Sequence, residues 1–139
     1  MMEIEFIPAR RQMEKSAATK SEVQVLMDKV YKENPSYWPY GITAFDGSSD
    51  MFLVRDKMTK QACGFVGWQE FEDKGQRVGS YFIGILPEYR GNGFAKEAVA
   101  KIIQKKAAQV DRVQAFIMPH NTPSKKLAET LHIPVKHKF

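Results

Sequence analysis

The chain has 139 residues, of which 43% are hydrophobic and 27% charged, with a formal net charge of +5. No stretch approaches the roughly 20 apolar residues that span a bilayer. The N-terminal sequence MMEIEFIPARRQ lacks the long apolar segment of a signal peptide. The single cysteine, Cys63, excludes an internal disulfide framework. These properties predict one cytoplasmic domain over residues 1–139 that does not associate with a membrane.

The first third of the chain predicts a strand, a helix and an aromatic loop. MEIEFI (2–7) alternates apolar and polar residues, which is typical of a strand. Residues 20–33 have apolar positions at helical spacing, and Thr19 and Glu22 have the spacing of a capping box. Asn34-Pro35 ends this helix, because a proline disfavours helical geometry in the residue before it. A turn is predicted at 46–50.

The remainder predicts three strands followed by a strand–helix–strand crossover. The expected elements are strands at 51–56, 61–71 and 76–86, a helix at 94–109, a strand at 112–118, a helix at 122–131 and a last short strand within 134–139. The first two of these strands flank a turn and suggest a hairpin. The order favours an α/β (α+β) fold, in which a mixed, mostly antiparallel sheet has helices on both faces.

The segment PEYRGNGFAKEAV (87–99) carries the main functional signal. Asn92-Gly93 is typical of a hairpin, but the residues after it have helical spacing, so the segment joins a strand to a helix N-terminus. Unpaired N–H groups there attract an anion, and Gly91 and Gly93 let a ligand approach the backbone. Arg90 adds donors suited to phosphate. The segment is not a P-loop, because Gly93 is not followed by a lysine and a serine or threonine. It is not the dinucleotide-binding fingerprint either, because a lysine occupies the position of the third glycine.

Arg90 to Ala95, an Arg-x-x-Gly-x-Ala sequence, closely resembles motif A of the GNAT superfamily of N-acetyltransferases. The resemblance implies that backbone amides hold the pyrophosphate of acetyl-CoA and that the preceding strand binds its pantetheine arm through the main chain. The cofactor-binding residues so implied are Ile83, Ile85, Leu86, Arg90, Gly91, Asn92, Gly93, Phe94 and Ala95.

HNTPSKKLAETLHI (120–133) is similar to motif B of the same superfamily. The resemblance implies that Asn121 contacts the pantetheine arm and that Ser124 contacts the cofactor near its phosphates; the alternatives are a loop asparagine and a serine in a first helical turn. Members of the superfamily usually finish with a two-stranded hairpin, whereas eight residues follow Leu131. We therefore expect a shortened sheet whose open edge could hold a second copy of the chain in a homodimer.

The resemblance also implies that a primary amine attacks the thioester carbonyl directly in a ternary complex. Many members have a tyrosine after the leucine of motif B, but Leu127 is followed by Ala128. Water, the released amine or Tyr81 then remains as the source of the proton for the leaving thiolate.

Candidate groups for the remaining roles are carboxylates and aromatics. Glu70 and Glu72 are candidate general bases, and solvent-facing strand carboxylates are the alternative. Tyr37, Trp38 and Tyr40 could wall the acceptor pocket or cap the core. No metal site is predicted.

Three functions compete at this point. The leading prediction is an acetyl-CoA-dependent N-acetyltransferase that acts on a small-molecule or protein amine. The alternative is a catalytically impaired domain of the same family that serves as a binding or structural component. Residues 90–139 contain 10 Lys/Arg and 3 Asp/Glu, which also suits nucleic acid, but no recognition signature accompanies this charge and cofactor phosphates would explain part of it.

Overall fold

The computed structural model describes residues 2–7, 22–38 and 50–136, which contain six strands and three α-helices. The strands are β1 (Met2–Ile7), β2 (Asp50–Asp56), β3 (Ala62–Asp73), β4 (Gln76–Ile85), β5 (Arg112–Phe116) and β6 (Val135–Lys136). The helices are α1 (Glu22–Glu33), α2 (Phe94–Lys106) and α3 (Thr122–Thr130), and short 3-10 turns occupy Pro35–Tyr37, Pro87–Tyr89 and Ala107–Gln109. Within these ranges, none of the helices has the length and apolar character needed to cross a membrane.

The predicted elements and their order are confirmed, with small differences at their ends. The helix predicted over 94–109 ends at Lys106, and its last residues form the 3-10 turn Ala107–Gln109. The final strand is limited to Val135–Lys136. Thr19, the turn at 46–49 and residues 137–139 lie outside the described residues.

The six strands form one mixed sheet in the order β1-β2-β3-β4-β5-β6. The pairs from β1 to β4 are antiparallel, whereas β4 with β5 and β5 with β6 are parallel. The parallel pairs follow from the crossovers through α2 and α3, because parallel neighbours need a long connection. This is the predicted mixed, mostly antiparallel architecture.

Both faces of the sheet are covered, as the apolar run of β2 illustrates. Met51 and Leu53 belong to a buried cluster with α1 residues, whereas Phe52 and Val54 belong to a second cluster with α2 residues. Successive side chains of a strand point to opposite faces. Helix α1 therefore packs on one face and α2 on the other, and a strand between them reads as continuously hydrophobic.

A tight hairpin fixes the register of β3 and β4. Asp73 pairs with Gln76, and the two residues between them, Lys74 and Gly75, both have positive φ, 52° and 81°. A type I′ turn requires positive φ at both central positions, and its twist matches that of the flanking strands. The register that results sets Gly64 opposite Ile85 at the far end of the hairpin.

The sheet opens beyond the middle of β4. The pairing of β4 with β5 covers only Val78 to Tyr81, although β4 continues to Ile85. The last residues of β4 thus have β3 on one side and, among the described strands, no partner on the other. This separation of β4 from β5 is called the splay below.

Candidate functional site

Two residues of β4 direct their main-chain polar groups into the splay. The Leu86 N–H donates to the Cys63 carbonyl on β3 across 2.9 Å. Because main-chain groups alternate in direction along a strand, those of Ile85 and Ile83 point away from β3. A strand edge that carries such groups can bind an extended polar ligand through its main chain.

The start of α2 lies at the end of the splay and offers further main-chain donors. Gly93 is the N-cap residue with φ 75°, and the first helical bond runs from the Glu97 N–H to the Gly93 carbonyl across 3.1 Å. The N–H groups before Glu97 in this helix therefore have no helical acceptor. A Cβ added at Gly91 or Gly93 would meet nothing within 4 Å. Open space in front of unpaired N–H groups and a positive helix end suits an anion.

A cleft of about 450 Å³ joins the splay to this helix end. It is lined by the sheet, by α1 and the turn after it, by the first turn of α2, and by residues along the whole of α3. The predicted cofactor-binding residues that line the cleft are Ile83, Ile85, Arg90, Gly91, Gly93, Phe94, Ala95, Asn121 and Ser124. Two others do not: Leu86 is buried beneath α1, and the Asn92 side chain donates to the Tyr89 carbonyl across 3.2 Å.

Positive charge dominates the lining of the cleft. Arg90, Lys96 and Lys126 contribute three cations, and Glu33 contributes the single carboxylate among the described lining residues. The N-terminal end of α2 adds a partial positive charge. The cleft therefore suits a ligand that carries several phosphates.

The Arg90 side chain bridges two elements at the edge of the cleft. Its Nε donates to the Ile85 carbonyl across 3.2 Å, and its terminal nitrogen lies 2.5 Å from Oε1 of Glu33 at the end of α1. The guanidinium thus ties the end of β4 to the end of α1. About half of the arginine side chain, 49%, stays exposed, which leaves it able to change partner.

Asn121 sets the geometry of the opposite wall. It is the N-cap residue of α3, and its side-chain oxygen accepts a hydrogen bond from the Ser124 N–H across 3.3 Å. Pro123 occupies the first turn, where a missing N–H costs little. The cap fixes both residues at the cleft and leaves the Asn121 amide nitrogen as a donor.

The turn after α1 reaches across the splay to the segment after β5. Tyr37 and Trp38 line the cleft, while Tyr40, the third residue predicted for an acceptor pocket, lies outside the described residues. The Tyr37 ring lies 5.2 Å from the His120 ring, and Nε2 of His120 lies 3.0 Å from Oγ of Ser36. Trp38 is held by Phe65 and Phe82, whose ring centroids lie 6.2 and 6.4 Å away.

The candidate general bases lie toward the other end of the sheet. Glu70 pairs with Gly79 near the β3–β4 turn, four residues and so about 13 Å along the strand from Ile83. The Glu70 carboxylate accepts from Nε1 of Trp68 across 2.9 Å and from the Arg77 guanidinium across 3.1 Å. Glu72 is exposed, and neither glutamate lines the cleft.

Tyr81, the candidate proton donor, is enclosed in the core. Its side chain is 5% exposed, its hydroxyl has no hydrogen-bond partner among the described residues, and it does not line the cleft. Burial raises the pKa of Tyr81 to about 12. A proton held at this hydroxyl has no hydrogen-bonded route to the cleft within the described residues.

Cys63 is a core residue of β3. Its thiol donates to the Val54 carbonyl across 3.3 Å, and burial, with a smaller contribution from Asp56, raises its pKa to about 11. Since the thiolate is the nucleophilic form, a raised pKa makes this cysteine unreactive. The side chain is fully buried and packs in the core.

Three charged residues of the cleft were not predicted from the sequence: Glu33, Lys96 and Lys126. Lys96 follows the phosphate-binding segment directly, and Lys126 lies on α3 near Ser124, so a search for cations beside the two motifs would have found both. The sequence carries no comparable signal for Glu33. Its position at the cleft depends on how α1 packs against the end of β4.

Comparisons with known proteins identify the family to which this architecture belongs. The acetyltransferase (GNAT) domain family matches residues 6–133. A protein described as an uncharacterized N-acetyltransferase, p20, from Bacillus licheniformis is 31% identical over 91 residues, which are 63% of this chain. The match spans 50% of that relative's length.

Solved structures share the fold at low sequence identity. A GNAT-family acetyltransferase from Streptococcus pneumoniae aligns with a TM-score of 0.68 and 17% identity, over 94% of this chain and 83% of its own. A ribosomal-protein-alanine N-acetyltransferase from Brucella melitensis aligns with a TM-score of 0.67 and 16% identity, over 100% of this chain and 95% of its own. A spermidine N-acetyltransferase from Vibrio cholerae, solved with CoA and spermine, aligns with a TM-score of 0.65 and 18% identity, over 93% of this chain and 78% of its own. The family match covers most of the chain, and the chain therefore belongs to the GNAT acetyltransferase family.

Proposed function

We propose that this GNAT-family chain is an acetyl-CoA-dependent N-acetyltransferase that transfers an acetyl group to a primary amine in a ternary complex. The observation that carries the proposal is the splay of β4 from β5 directly beside the uncapped start of α2. The splay offers main-chain groups that can bind a pantetheine arm, and the start of α2 offers a site for its phosphates.

The residues around the cleft fit acetyl-CoA. The main-chain N–H groups from Gly91 to Ala95 would hold the pyrophosphate, and Arg90, Lys96 and Lys126 would offset its charge. Asn121 would offer its amide nitrogen to the pantetheine arm, and Ser124 would lie toward the phosphates. When bound, acetyl-CoA supplies the acetyl group as a thioester.

The main chain of β4 would orient and polarise the acetyl carbonyl. The N–H groups of Ile83 and Ile85 point into the splay, and a fixed donor aimed at a carbonyl oxygen stabilises the negative charge that develops there. The hydrophobic side chains of these residues and of Trp38 exclude water from the same place. Because the contribution comes from the backbone, exchanging one apolar side chain for another at Ile83 would leave it in place.

A catalytically impaired domain remains a second candidate, and one observation favours it. Glu70, Glu72 and Tyr81, the side chains proposed for proton transfer, do not line the cleft. Such a domain would still bind acetyl-CoA through the backbone of β4 and α2. It would differ from the enzyme only in failing to release CoA when an amine is present.

The wider properties of the chain are proposed on the same basis. We propose that residues 1–139 form one acyl-CoA-binding domain, that it works in the cytoplasm, and that its partner is an amine acceptor. A homodimer through the edge of β6 stays a prediction. Part of the basic charge is assigned to cofactor phosphates, since three of its cations, Arg90, Lys96 and Lys126, line the cleft, and binding of nucleic acid is not expected.

The proposed function is tested in two steps. Saturating acetyl-CoA should raise the melting temperature by on the order of 10 °C, because a ligand that binds only the native state stabilises it by mass action. Thiol release is then followed while a panel of primary amines is added, including polyamines and peptides with a free N-terminal alanine. Cofactor binding with amine-dependent release of CoA supports the enzyme, binding without release supports the impaired domain, and no thermal shift at millimolar acetyl-CoA contradicts both.

A further inference from the structure

Glu33, the last residue of α1, has an unusual position for a carboxylate. It faces the cleft with its side chain 27% exposed. Its Oε1 atom accepts from the Arg90 guanidinium across 2.5 Å and from the Asn34 side-chain nitrogen across 3.4 Å. Oε2 bonds to no other described residue. The glutamate therefore retains an available acceptor inside a cavity whose other charged lining residues, among those described, are cations.

The stability of α1 does not explain this position. The C-terminal end of a helix carries partial negative charge, which disfavours a carboxylate in the last turn. The bond to Arg90 offsets part of that cost. A negative group kept at an unfavourable helix end, at the wall of a cleft, is more readily explained by what the cleft binds.

Arg90 is subject to two competing attractions in the proposed enzyme. It is bonded to Glu33 and to the Ile85 carbonyl, yet it immediately precedes Gly91 to Ala95, which are proposed to hold the cofactor phosphates. A phosphate group is a better partner for guanidinium than a single carboxylate oxygen, since it offers paired acceptors and more charge. Bound cofactor should therefore draw Arg90 away from Glu33.

We infer that Glu33 binds a protonated amino group of the acceptor, and that it becomes available when the cofactor phosphates take Arg90 from it. The inference rests on the proposed function and names a residue that recognises the acceptor. The acceptor it implies is cationic. Before the cofactor binds, three cations face one carboxylate in the cleft and repel such an acceptor; the cofactor phosphates reverse this balance.

The neighbours of Glu33 suit a cation as well. Tyr37 and Trp38 lie in the turn after α1 and line the same cleft. Aromatic faces attract ammonium groups, and the negative end of α1 adds to the attraction. The carboxylate, the helix end and the two rings therefore favour a protonated amine over a neutral one.

The first test measures the affinity for CoA by calorimetric titration of the wild type, Glu33→Gln and Glu88→Gln. Glu88 is exposed and lies two residues from Arg90 without a bond to it, so its variant removes the same charge and serves as the matched control. We expect Glu33→Gln to bind CoA about twofold to fivefold more tightly, the range that an exposed ion pair implies, and Glu88→Gln to match the wild type. A purely structural glutamate would show the opposite change, weaker binding of CoA.

The second test uses spermine as the probe amine, titrated with and without saturating CoA. We expect wild-type protein to bind spermine about tenfold more tightly when CoA is present, and Glu33→Gln to lose about tenfold in affinity for spermine within the CoA complex. Spermine affinity that is independent of Glu33, or unchanged CoA affinity in Glu33→Gln, would overturn the inference alone. A wild type that does not bind CoA would overturn the proposed function together with it.

Discussion

The side-chain oxygen of Asn121 accepts a hydrogen bond from the main-chain N–H of Ser124 across 3.3 Å. This bond caps α3 at its first turn. Both residues line the cleft, and the resemblance to the family assigns them to cofactor binding. Asn121 therefore has two roles that can be separated: its oxygen caps the helix, and its amide nitrogen is the group proposed to bind the pantetheine arm.

Replacing Asn121 should separate these two functions. Asn121→Ala removes the cap and should lower the free energy of unfolding by about 1 kcal/mol. Asn121→Asp keeps the capping oxygen and should retain nearly full stability, yet bind acetyl-CoA less tightly because it replaces the donor with a negative charge. Urea denaturation and calorimetric titration measure the two effects. Equal destabilisation of both variants would show that the oxygen does not form the cap.

Removing the hydroxyl of Tyr81 should leave catalysis unchanged and stabilise the fold. A buried hydroxyl without a partner costs about 1 to 3 kcal/mol, so Tyr81→Phe should be at least as stable as the wild type at neutral pH. Activity should persist, because the hydroxyl does not line the cleft. A loss of kcat of more than tenfold with unchanged stability would instead identify Tyr81 as the proton donor.

The same variant should change the stability of the protein at alkaline pH. Folding raises the pKa of Tyr81 from 10 to about 12, so the unfolded chain releases this proton first. Stability is therefore lost as pH rises through the interval from 10 to 12, by up to about 2 to 3 kcal/mol from this group. Tyr81→Phe should lack that part of the loss when denaturation curves of the two proteins are compared across the interval. Parallel curves would mean that the hydroxyl is not desolvated.

Glu70 should prove to be a structural residue. It accepts hydrogen bonds from Trp68 and Arg77, so Glu70→Gln should cost about 1 kcal/mol of stability. Its kcat/KM for any acceptor should match the wild type. Glu72→Gln, which alters an exposed side chain of the same strand, is the control and should change neither quantity. A fall in kcat with a shifted pH profile in Glu70→Gln would restore the glutamate as a general base.

The elements of the fold follow largely from local patterns in the sequence. Nearby residues determine the apolar spacing of α2, in which Phe94, Ala98 and Ile102 are buried. Nearby residues also determine the Lys74–Gly75 turn. The placement of Gly93 at the helix entry, rather than in a hairpin, follows from the residues after it. These features depend on short-range geometry, and short-range geometry can be read from the chain.

The arrangement of the site depends on contacts between distant residues. The bond between Glu33 and Arg90 joins the end of α1 to the end of β4, and no local pattern brings them together. The pairing of β5 with β4 stops at Tyr81, which creates the splay but leaves no mark in the sequence. The same limitation applies to Glu70 and Glu72, because a strand pattern in the sequence does not give the distance of a side chain from the cleft.

A pair of glycine variants tests whether acetyl-CoA binds with its phosphates at the start of α2. Gly93 and Gly75 both have positive φ, 75° and 81°, and open space around an added Cβ. Valine at either position should therefore lower the free energy of unfolding by a similar amount, about 1 to 2 kcal/mol, through backbone strain. Gly75 lies at the β3–β4 turn, about 30 Å along β4 from the cleft, so its variant isolates the strain from any effect on the ligand.

The decisive measurement is the calorimetric titration of acetyl-CoA into the wild type, Gly93→Val and Gly75→Val at a temperature where all three are folded. We expect Gly75→Val to bind as the wild type does and Gly93→Val to bind at least about tenfold more weakly, because its side chain enters the space in front of the N–H groups of α2. Wild-type affinity in Gly93→Val would show that the cofactor phosphates do not bind at the start of α2.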